Sequence, residues 1–413
     1  MTELLAAPPA PEPTQHPLSK RWARDREDFV ARHPAAARRL RWLMARPAVV
    51  LLPWAGLVAG LLGADNPGGD ASWFREAGLS MLGPEVLDVF AAPGVQMGPV
   101  YLLFIGVLTT AVDAVGLPVL FTVAAVQAIG IAWFALFTTR RWAVELGAAP
   151  LRAQWGVVAP MAFGGLLAES IGNGHPEEIF LGLLFANIAL MAQRGAGARV
   201  GALVGLATGI KLWGLLAAPV LLVGRAPRTI MWRGVAALAV ALAFYLPFFL
   251  FGEVNTFSFR WGNTSTPLSM LAHEWGLSDW GMRLIQGGAV AVVGSAVAWR
   301  RRASGLAVVL TIIAVRLVLD PLLMTYYPGP FIAVALVWLW TWPTGVRQVW
   351  QVLASLAVPL TIVVPYLTYS PARAWTTHAA YLAVTIAVLW RERREGGREG
   401  AGERRGLPDA ATL

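Results

Sequence analysis

The chain contains no cysteine and has few charged residues, and these two deficits exclude several kinds of protein. Without cysteine there is no disulfide, no thiol catalysis and no thiolate metal site. Charged residues make up 14% of the 413 residues, against about 25% in ordinary soluble domains. Hydrophobic residues make up 57% and the mean hydropathy is +0.58, so the composition predicts an integral membrane protein.

Long apolar runs recur through most of the chain and indicate its fold class. Several reach the roughly 17–25 residues that cross a bilayer as a helix, which satisfies its own backbone hydrogen bonds. We expect an all-α polytopic membrane protein with about 12–13 transmembrane helices and a helical first outer loop. The candidate spans are residues 47–63, 98–114, 117–139, 156–171, 177–193, 198–211, 213–224, 235–252, 284–299, 305–323, 328–342, 349–369 and 376–390.

The two ends of the chain differ in composition from this apolar region. Residues 1–19 are rich in proline and alanine, and we expect them to be disordered. Residues 20–46 intersperse arginine with large apolar residues, as a basic amphipathic helix on a membrane surface does. The sequence therefore predicts a cytoplasmic segment over 1–46, a transmembrane domain over 47–390 and a charged cytoplasmic tail over 391–413.

The net charge of +9 is distributed unevenly along the chain. In a soluble protein it would suggest a nucleic-acid partner. Here all but six of the 33 Lys and Arg lie at the two ends and in short breaks between spans, as the positive-inside rule requires. We expect a plasma (inner) membrane protein with both termini cytoplasmic and no nucleic-acid partner. Because an odd number of spans cannot join two ends on one side, a segment between residues 98 and 139 either enters without crossing or hides an extra short crossing.

With this orientation, the polar side chains of the apolar region gather on the outer side. An ionisable group beside a membrane helix carries a free-energy cost and needs an explanation. These polar side chains come from five separate turns of the chain, which is the strongest indication of a functional site. The residues are Asp70 in the first outer loop, His175 with Glu177 and Glu178, Lys211, Arg260 and His273 in the loop 253–283, and Arg316 with Asp320.

Some of these residues also fit purely structural roles. Asp70 fits the N-cap of a helix that starts at Ala71. His175 fits the cap of the following helix, with Glu177 and Glu178 in its first turn.

The remaining candidates have alternatives of their own. Arg316 and Asp320 are four residues apart and fit a pair that neutralises itself inside the bundle. Lys211 follows a run of small residues suited to close helix packing, and facing protein it needs an anion. His175 and Glu177 alone are a weak metal signal, so we assign no metal and no cofactor, with a divalent cation there as an open alternative.

Taken in order, the motifs resemble a known family. They are the basic amino terminus, Asp70 followed by Trp73-Phe74, Gly98-Pro99-Val100-Tyr101-Leu102, Gly174-His175, the run from Gly205 to Lys211, and Arg316-Leu-Val-Leu-Asp320-Pro321 before Tyr326-Tyr327. From about residue 40 to 390 the chain resembles the polyprenol-phosphate-sugar-dependent glycosyltransferases of the GT-C superfamily, especially the actinobacterial mannosyltransferases that build cell-envelope glycolipids.

The chain also departs from that family. Members often have Gly-Gln at Gly174-His175 and Tyr-Pro-Pro at Met97-Gly98-Pro99. The aromatic residue after the loop aspartate is usually tyrosine, whereas here it is Trp73 or Phe74. These differences leave the donor sugar and the acceptor open.

The resemblance implies an enzyme that moves a sugar, with mannose expected, from a polyprenyl-phosphate donor to a glycolipid or glycan acceptor at the outer membrane face. It implies that Asp70 is the base of an inverting transfer. The implied ligands of the donor phosphate are Lys211, Arg316 and, more weakly, Arg260. The residues implied to orient the acceptor are His175, Glu177, Glu178, Asp320, Tyr327 and His273.

Two other classes of protein stay open on the sequence alone. A secondary transporter would place its charges near the bilayer midplane, often with internal repeats, but no repeat is visible and the charges lie at one edge. A non-catalytic lipid-binding or scaffold subunit of envelope biosynthesis would share all of these features. A nucleotide-sugar donor is disfavoured because the chain has no Gly-rich phosphate loop.

Overall fold

Helices form all of the regular structure in the described part of the chain. The computed structural model describes residues 17–65, 69–224, 226–260, 266–300, 304–322, 324–342, 348–367 and 377–392. The α-helices are α1 (Pro17–Arg32), α2 (Pro34–Met44), α3 (Pro47–Asp65), α4 (Gly69–Ser80), α5 (Pro99–Ala114), α6 (Val119–Glu145), α7 (Pro150–Phe163), α8 (Leu166–Gly172), α9 (Pro176–Gln193), α10 (Ala198–Ile210), α11 (Pro227–Phe251), α12 (Pro267–Glu274), α13 (Asp279–Trp299), α14 (Gly305–Val318), α15 (Gly329–Thr341) and α16 (Gln348–Leu367). Residues 377–392 form a further helix, and 3₁₀ helices span Val86–Ala91, Leu212–Leu222 and Thr256–Ser258. The predicted all-α fold class and the helical loop after the first span are confirmed.

Several of these helices have the length and composition of membrane spans. Within the described residues, four helices meet both criteria, namely α3, α6, α11 and α13, and the pair α7 and α8, bent by 45°, is a fifth candidate. Shorter apolar helices of 10–17 residues are α5, α10, Leu212–Leu222, α14 and α15. The helices thus support a membrane protein. The difference from the expected number of about 12–13 lies partly in these shorter helices, which fall below a full crossing.

Among the described residues, those up to Val50 form one compact unit and those from Leu51 onward form the other. In the first unit, α1 ends at Arg32 and α2 starts at Pro34. Proline lacks a backbone N–H and fits the first turn of a new helix, so Pro34 divides the basic segment in two. The single amphipathic helix expected over 20–46 is therefore two helices.

The predicted boundaries at the chain ends can be compared with the structure only in part. Helix α1 begins at Pro17, inside the segment 1–19 that we expected to be disordered. Residues 1–16 lie outside the described residues, as do residues 393–413 of the predicted tail.

In the second unit, α9 lies in the interior of the bundle. Most of its side chains are buried, and it packs against α6, α8, α10, α14, α15 and the 3₁₀ helix Leu212–Leu222. A helix that is apolar on all sides is suited to such a position. Its ionisable side chains, Glu177 and Glu178, are both in the first turn. The N-terminal end of α9 therefore determines where charge collects in the bundle.

Helix α10 packs closely against α11 through a face of small residues. A Cβ atom added at Gly201 would collide with the carbonyl oxygen of Arg233, and one at Gly205 would lie 2.6 Å from that of Ala237. Small residues allow such close approach of membrane helices. The close packing predicted for the residues before Lys211 is confirmed.

Candidate functional site

One end of the bundle collects ionisable side chains from the ends of several helices. The ion pairs connect one to the next, so that the set is continuous. We call it the charged cluster, and its members are Asp70, His175, Glu177, Glu178, Lys211, Arg283, Arg316 and Asp320. The structure thus brings together side chains from the separate turns that the sequence indicated.

The contact between Asp70 and His175 depends on a glycine. Gly174 has a φ of +78°, a conformation that glycine adopts without a steric penalty. A Cβ atom at Gly174 would collide with the backbone nitrogen of Ala71, so only glycine lets this turn approach the start of α4 so closely. Pro176 then begins α9. This local geometry places His175 against Asp70.

His175 is held between two carboxylates. Its Nε2 lies 2.9 Å from Oδ2 of Asp70, and its Nδ1 lies 3.0 Å from Oε1 of Glu177. A carboxylate only accepts hydrogen bonds, so both ring nitrogens donate only when the imidazole is protonated. The ring also stacks on Tyr326 at 4.2 Å between centroids and meets Phe74 edge-on at 5.4 Å. The surroundings of His175 therefore favour the imidazolium.

The pKa values of the two groups shift in opposite directions, and both shifts favour the charged form. Burial and Lys211 lower the pKa of His175, whereas Glu177 and Asp70 raise it, and the net shift is upward from 6.5. The hydrogen bond from His175 lowers the pKa of Asp70, burial raises it, and the charges of His175 and Lys211 lower it, with a net shift downward from 3.8. Asp70 is thus ionised at neutral pH. Its side chain is 45% exposed, so a substrate can reach it.

Lys211 lies in extended backbone between α10 and the 3₁₀ helix Leu212–Leu222. Its Nζ donates to Oε1 of Glu177 at 2.7 Å and to Oε1 of Glu178 at 2.9 Å. The first turn of α9 therefore supplies the anion that Lys211 needs. The positive end of the helix dipole also stabilises both carboxylates there.

Arg316 joins the cluster from the last turn of α14. Its Nη1 donates to Oε2 of Glu178 at 2.9 Å. The guanidinium lies over the rings of Trp213 and Tyr327, at 4.2 and 4.9 Å from their centroids. Trp213 in turn donates its indole N–H to Glu178 at 3.1 Å. The buried carboxylate of Glu178 thus has a donor for both of its oxygens, as a buried charge requires.

Asp320 pairs mainly with α13 and not with its own helix. Its Oδ1 accepts from Arg283 at 2.9 Å and its Oδ2 from Gln286 at 3.1 Å. Nε of Arg316 is 3.9 Å from Oδ2. The predicted pairing of Arg316 with Asp320 is therefore the weaker contact, because α14 ends before Asp320 and the chain turns toward α13.

With His175 protonated, the charges of the cluster cancel. Asp70, Glu177, Glu178 and Asp320 supply four carboxylates, and Lys211, Arg283, Arg316 and protonated His175 supply four cations. Within the described part of the chain, the buried Oε2 of Glu177 has no hydrogen-bond partner. The cluster is thus balanced in charge and retains one buried acceptor atom that is free.

The two capping interpretations hold only in part. His175 is the N-cap residue of α9, with Glu177 and Glu178 in the first turn as predicted, but its side chain makes no capping hydrogen bond. Asp70 lies in the first turn of α4, which begins at Gly69, and not at an N-cap before Ala71. In both cases the side chain is directed to the partner residue instead.

Two predicted site residues are not placed in the cluster. Arg260 is exposed after the 3₁₀ helix Thr256–Ser258 and forms none of the ion pairs of the cluster. His273 belongs to α12, and its side chain lies outside the described residues.

The cluster also contains residues that the sequence reasoning did not select. Arg283 and Gln286 are three residues apart on α13, a spacing that places them on one helix face and could have indicated a polar site. Trp213 and Tyr326 contact cluster residues only because distant helices pack together, and no sequence spacing reveals that.

An apolar groove of about 420 Å³ adjoins the segment that carries Lys211. Thr208 and Leu212, on either side of Lys211 in sequence, line it, together with Tyr245 and Phe248 of α11. Pockets of about 300–1,000 Å³ are typical of small-molecule sites. The groove is thus large enough for part of a lipid chain.

Comparison with known proteins adds no assignment. Protein-family models, curated proteins and solved structures gave no match to this chain. Among the described residues, no three His, Asp or Glu side chains are grouped as metal ligands, since the carboxylates of the cluster contact cations. The function is therefore inferred from the cluster and the cavities beside it.

Proposed function

We propose that the protein is a membrane glycosyltransferase that moves a sugar, with mannose favoured by the motif resemblance, from a polyprenyl-phosphate donor to a hydroxyl of a lipid or glycan. Asp70 carries this proposal. Most of the cluster is buried, but Asp70 is an ionised, half-exposed carboxylate held by the buried side chain of His175. Such a group is accessible, oriented and able to accept a proton.

The proposed reaction is a single displacement with inversion. The acceptor oxygen attacks the anomeric carbon of the sugar and gives its proton to Asp70, which requires a base on the face opposite the leaving group. The bond between that carbon and the phosphate oxygen breaks, and the phosphate leaves with the electron pair. His175 orients Asp70 through their hydrogen bond of 2.9 Å.

The groove and Lys211 support a lipid-phosphate donor. Polyprenyl methylenes would lie in the apolar groove, whose lining residues Thr208 and Leu212 flank Lys211. The side chain of Lys211 is 13% exposed, and its Nζ would donate to a phosphate oxygen in addition to its two carboxylates. Arg316 is 4% exposed and would act by neutralising Glu178, which leaves more of the charge of Lys211 for the donor.

The other candidate residues receive supporting roles. Glu177 has the free buried oxygen and would accept a hydrogen bond from a sugar hydroxyl. Glu178, Asp320 and Tyr327 hold cations of the cluster in place. Arg260, being exposed, would only attract the anionic donor.

The proposal includes a GT-C-like architecture in the plasma membrane. The shorter apolar helices, together with α9, α16 and the helix over 377–392, would complete about 12–13 membrane segments, with both chain ends cytoplasmic and the cluster on the outer side. The distribution of Lys and Arg supports this orientation.

A transfer assay tests the function. We expect purified protein to move radiolabelled mannose from synthetic polyprenyl-phosphate-mannose to a glycolipid extract. Asp70→Asn should abolish the transfer. Asp88→Asn is the matched control, since Asp88 is an exposed carboxylate of the same predicted loop outside the cluster. Absence of transfer from every polyprenyl-phosphate sugar offered would refute the proposal.

A lipid-binding scaffold subunit is the second candidate. The cancellation of charge in the cluster favours it, because a balanced buried network is suited to a rigid structure. It predicts lipid binding without turnover in the same assay. A transporter has less support, since the sequence shows no internal repeat and its charges lie at one edge of the predicted spans.

A further inference from the structure

A second cavity, of about 50 Å³, adjoins the contact between Asp70 and His175. Ala71 and Gly174, which follow and precede those residues in sequence, both line it. Arg75, one turn further along α4 than Ala71, also lines the cavity and is partly buried. A water molecule needs on the order of 10–15 Å³ of such space, so the cavity has room for a small polar group.

The opposite wall of this cavity is largely apolar and comes from two candidate membrane helices. Gly63 of α3 and Leu120 and Ala124 of α6 line it, and α3 approaches α6 so closely that a Cβ atom on Gly63 would lie 2.6 Å from that of Ala124. Tyr101 and Gln127 line it as well, and Tyr101 donates its hydroxyl to Gln127 at 2.9 Å. The cavity therefore combines a cation and polar side chains with an apolar wall.

Arg75 differs in its charge balance from the cations of the cluster. Lys211 and Arg316 are neutralised by buried carboxylates at 2.7–2.9 Å. Among the described residues, Arg75 has no hydrogen bond, ion pair or ring contact. A phosphate at Lys211 would share that cation with two carboxylates, whereas at Arg75 it would meet a guanidinium with no carboxylate partner among the described residues. A guanidinium donates two parallel hydrogen bonds to two oxygens of one phosphate group, and this geometry suits arginine to phosphate sites.

We propose that Arg75 and this cavity form an anion site for the phosphate group of a membrane lipid, with the first methylenes of the lipid against α3 and α6. The choice of a polyprenyl phosphate as that lipid rests on the proposed function. The site itself rests on the cavity and on Arg75. It lies next to the Asp70–His175 contact and is separate from the position proposed for the donor phosphate at Lys211, so a phosphate held here is not the leaving group of the transfer.

Binding without chemistry tests the site. Full-length protein in phosphatidylcholine nanodiscs would be titrated with polyprenyl phosphate that carries no sugar, and the bound lipid measured by native mass spectrometry. We expect Arg75→Gln to weaken binding about tenfold or more, since a charge-assisted contact is lost. Arg75→Lys should recover part of the affinity. Because Arg75 makes no hydrogen bond with any residue that the structure describes, Arg75→Gln should keep the wild-type Tm.

Two control variants complete the experiment. Arg199→Gln removes one exposed charge from the first turn of α10 and should bind as wild type does. Asp70→Asn removes a negative charge beside the site and should bind the lipid at least as tightly as the wild type, so a loss of transfer there is separable from a loss of binding. If the wild type binds the lipid through Arg75 but transfers no sugar, the enzyme proposal fails and the anion site stands. Wild-type affinity in Arg75→Gln would overturn the site.

Inorganic phosphate distinguishes the two possible sources of the anion. Competition by free phosphate would show that the phosphate group alone is recognised at Arg75. Loss of lipid binding in Arg75→Gln without such competition would show that the lipid chain is needed too. Both results support a phosphate site, and they differ only in whether its ligand has to be a lipid.

Discussion

At the scale of single residues, variants of Asp70 distinguish a catalytic role from a structural one. Its side chain contacts His175 and does not cap α4, so capping no longer explains why an aspartate stands there. Asp70→Asn keeps the shape and an acceptor oxygen but cannot take a proton, and loss of a general base typically lowers the rate about 10²–10⁴-fold. We expect that loss of turnover with a smaller fall in Tm in detergent than alanine causes at the same position, because asparagine keeps an acceptor oxygen for His175 but loses the charge.

Asp70→Ala provides the comparison for this variant. It removes the carboxylate from the imidazolium of His175, so it should lower the Tm as well as the rate. If Asp70→Asn turned over at nearly the wild-type rate while Asp70→Ala was merely less stable, Asp70 would have only a structural role.

The protonation of His175 predicts a pH dependence of stability. Its pKa in the folded protein is raised above 6.5, so the stabilisation is complete below 6.5 and is lost as the pH rises through the higher folded value. The groups that face the ring are Asp70, Glu177, Lys211 and Tyr326. We expect the Tm advantage of the wild type over the non-titrating variant His175→Gln to shrink with rising pH. A Tm difference that stayed constant as the pH rose above 6.5 would contradict an imidazolium in the native state.

The opposite limit comes from Asp70. Its pKa is lowered below 3.8, so its contribution is present above 3.8 and is lost only as the pH falls through the lower folded value. The contact between Asp70 and His175 should therefore stabilise the protein most between pH 3.8 and pH 6.5.

Lys211 compensates two buried carboxylates, so its removal should destabilise the protein. Breaking a buried ion pair by truncating one partner typically costs about 3–5 kcal/mol, because the remaining charge stays buried. We expect Lys211→Ala to lower the Tm strongly, and Lys211→Met combined with Glu177→Gln to recover much of the loss by removing one charge of each sign. Equal Tm values for Lys211→Ala and the wild type would show that Glu177 and Glu178 are not held by Lys211.

The residue scale also shows what the sequence could and could not predict. The small residues before Lys211 predict that it faces protein, where its charge requires an anionic partner. The structure shows that Glu177 and Glu178 are the partners. Their identity depends on α9 lying beside α10, which hydrophobic periodicity does not determine. From the sequence, the role given to these glutamates was the one that the family resemblance implies, to orient the sugar acceptor.

At the scale of elements, apolar runs predicted most helices to within a few residues, because each run has to be helical in a bilayer. The exceptions have local causes. The single span expected over 156–171 is divided at Gly164 and Gly165, and Gly165 has a φ of +83°. The span expected over 213–224 is a 3₁₀ helix that contains Pro219, which cannot donate a backbone hydrogen bond.

The turn before α9 can be tested with two glycines of similar conformation. Gly174 and Gly195 have φ values of +78° and +77°, but only Gly174 has backbone against the position of a Cβ atom. An L-residue in this conformation costs roughly 1–2 kcal/mol, which both alanine variants share. We expect Gly174→Ala to lower the Tm more than Gly195→Ala and also to abolish transfer, because it separates α4 from His175. Equal losses in both variants would show that the close approach is unimportant.

At the scale of the whole molecule, the orientation decides on which side of the membrane the polar end of the bundle lies. Chain direction is consistent with one shared end, since α9 and α13 start there and α10 and α14 finish there. Length and composition identify the membrane helices but carry no orientation, so that part rests on the placement of Lys and Arg. The sidedness matters because a polyprenyl-phosphate sugar presented outside the cell cannot reach a cytoplasmic site.

Single-cysteine labelling tests this orientation directly, since the chain has no native cysteine. Arg260 and Arg199 are both exposed and lie on opposite predicted sides of the membrane, so Arg260→Cys and Arg199→Cys form a matched pair. We expect an impermeant maleimide to label Arg260→Cys in intact cells and Arg199→Cys only after the membrane is opened. The reverse pattern would place the charged cluster in the cytoplasm, where neither an outer-face donor nor the proposed transfer could operate, whatever the behaviour of Asp70 in detergent.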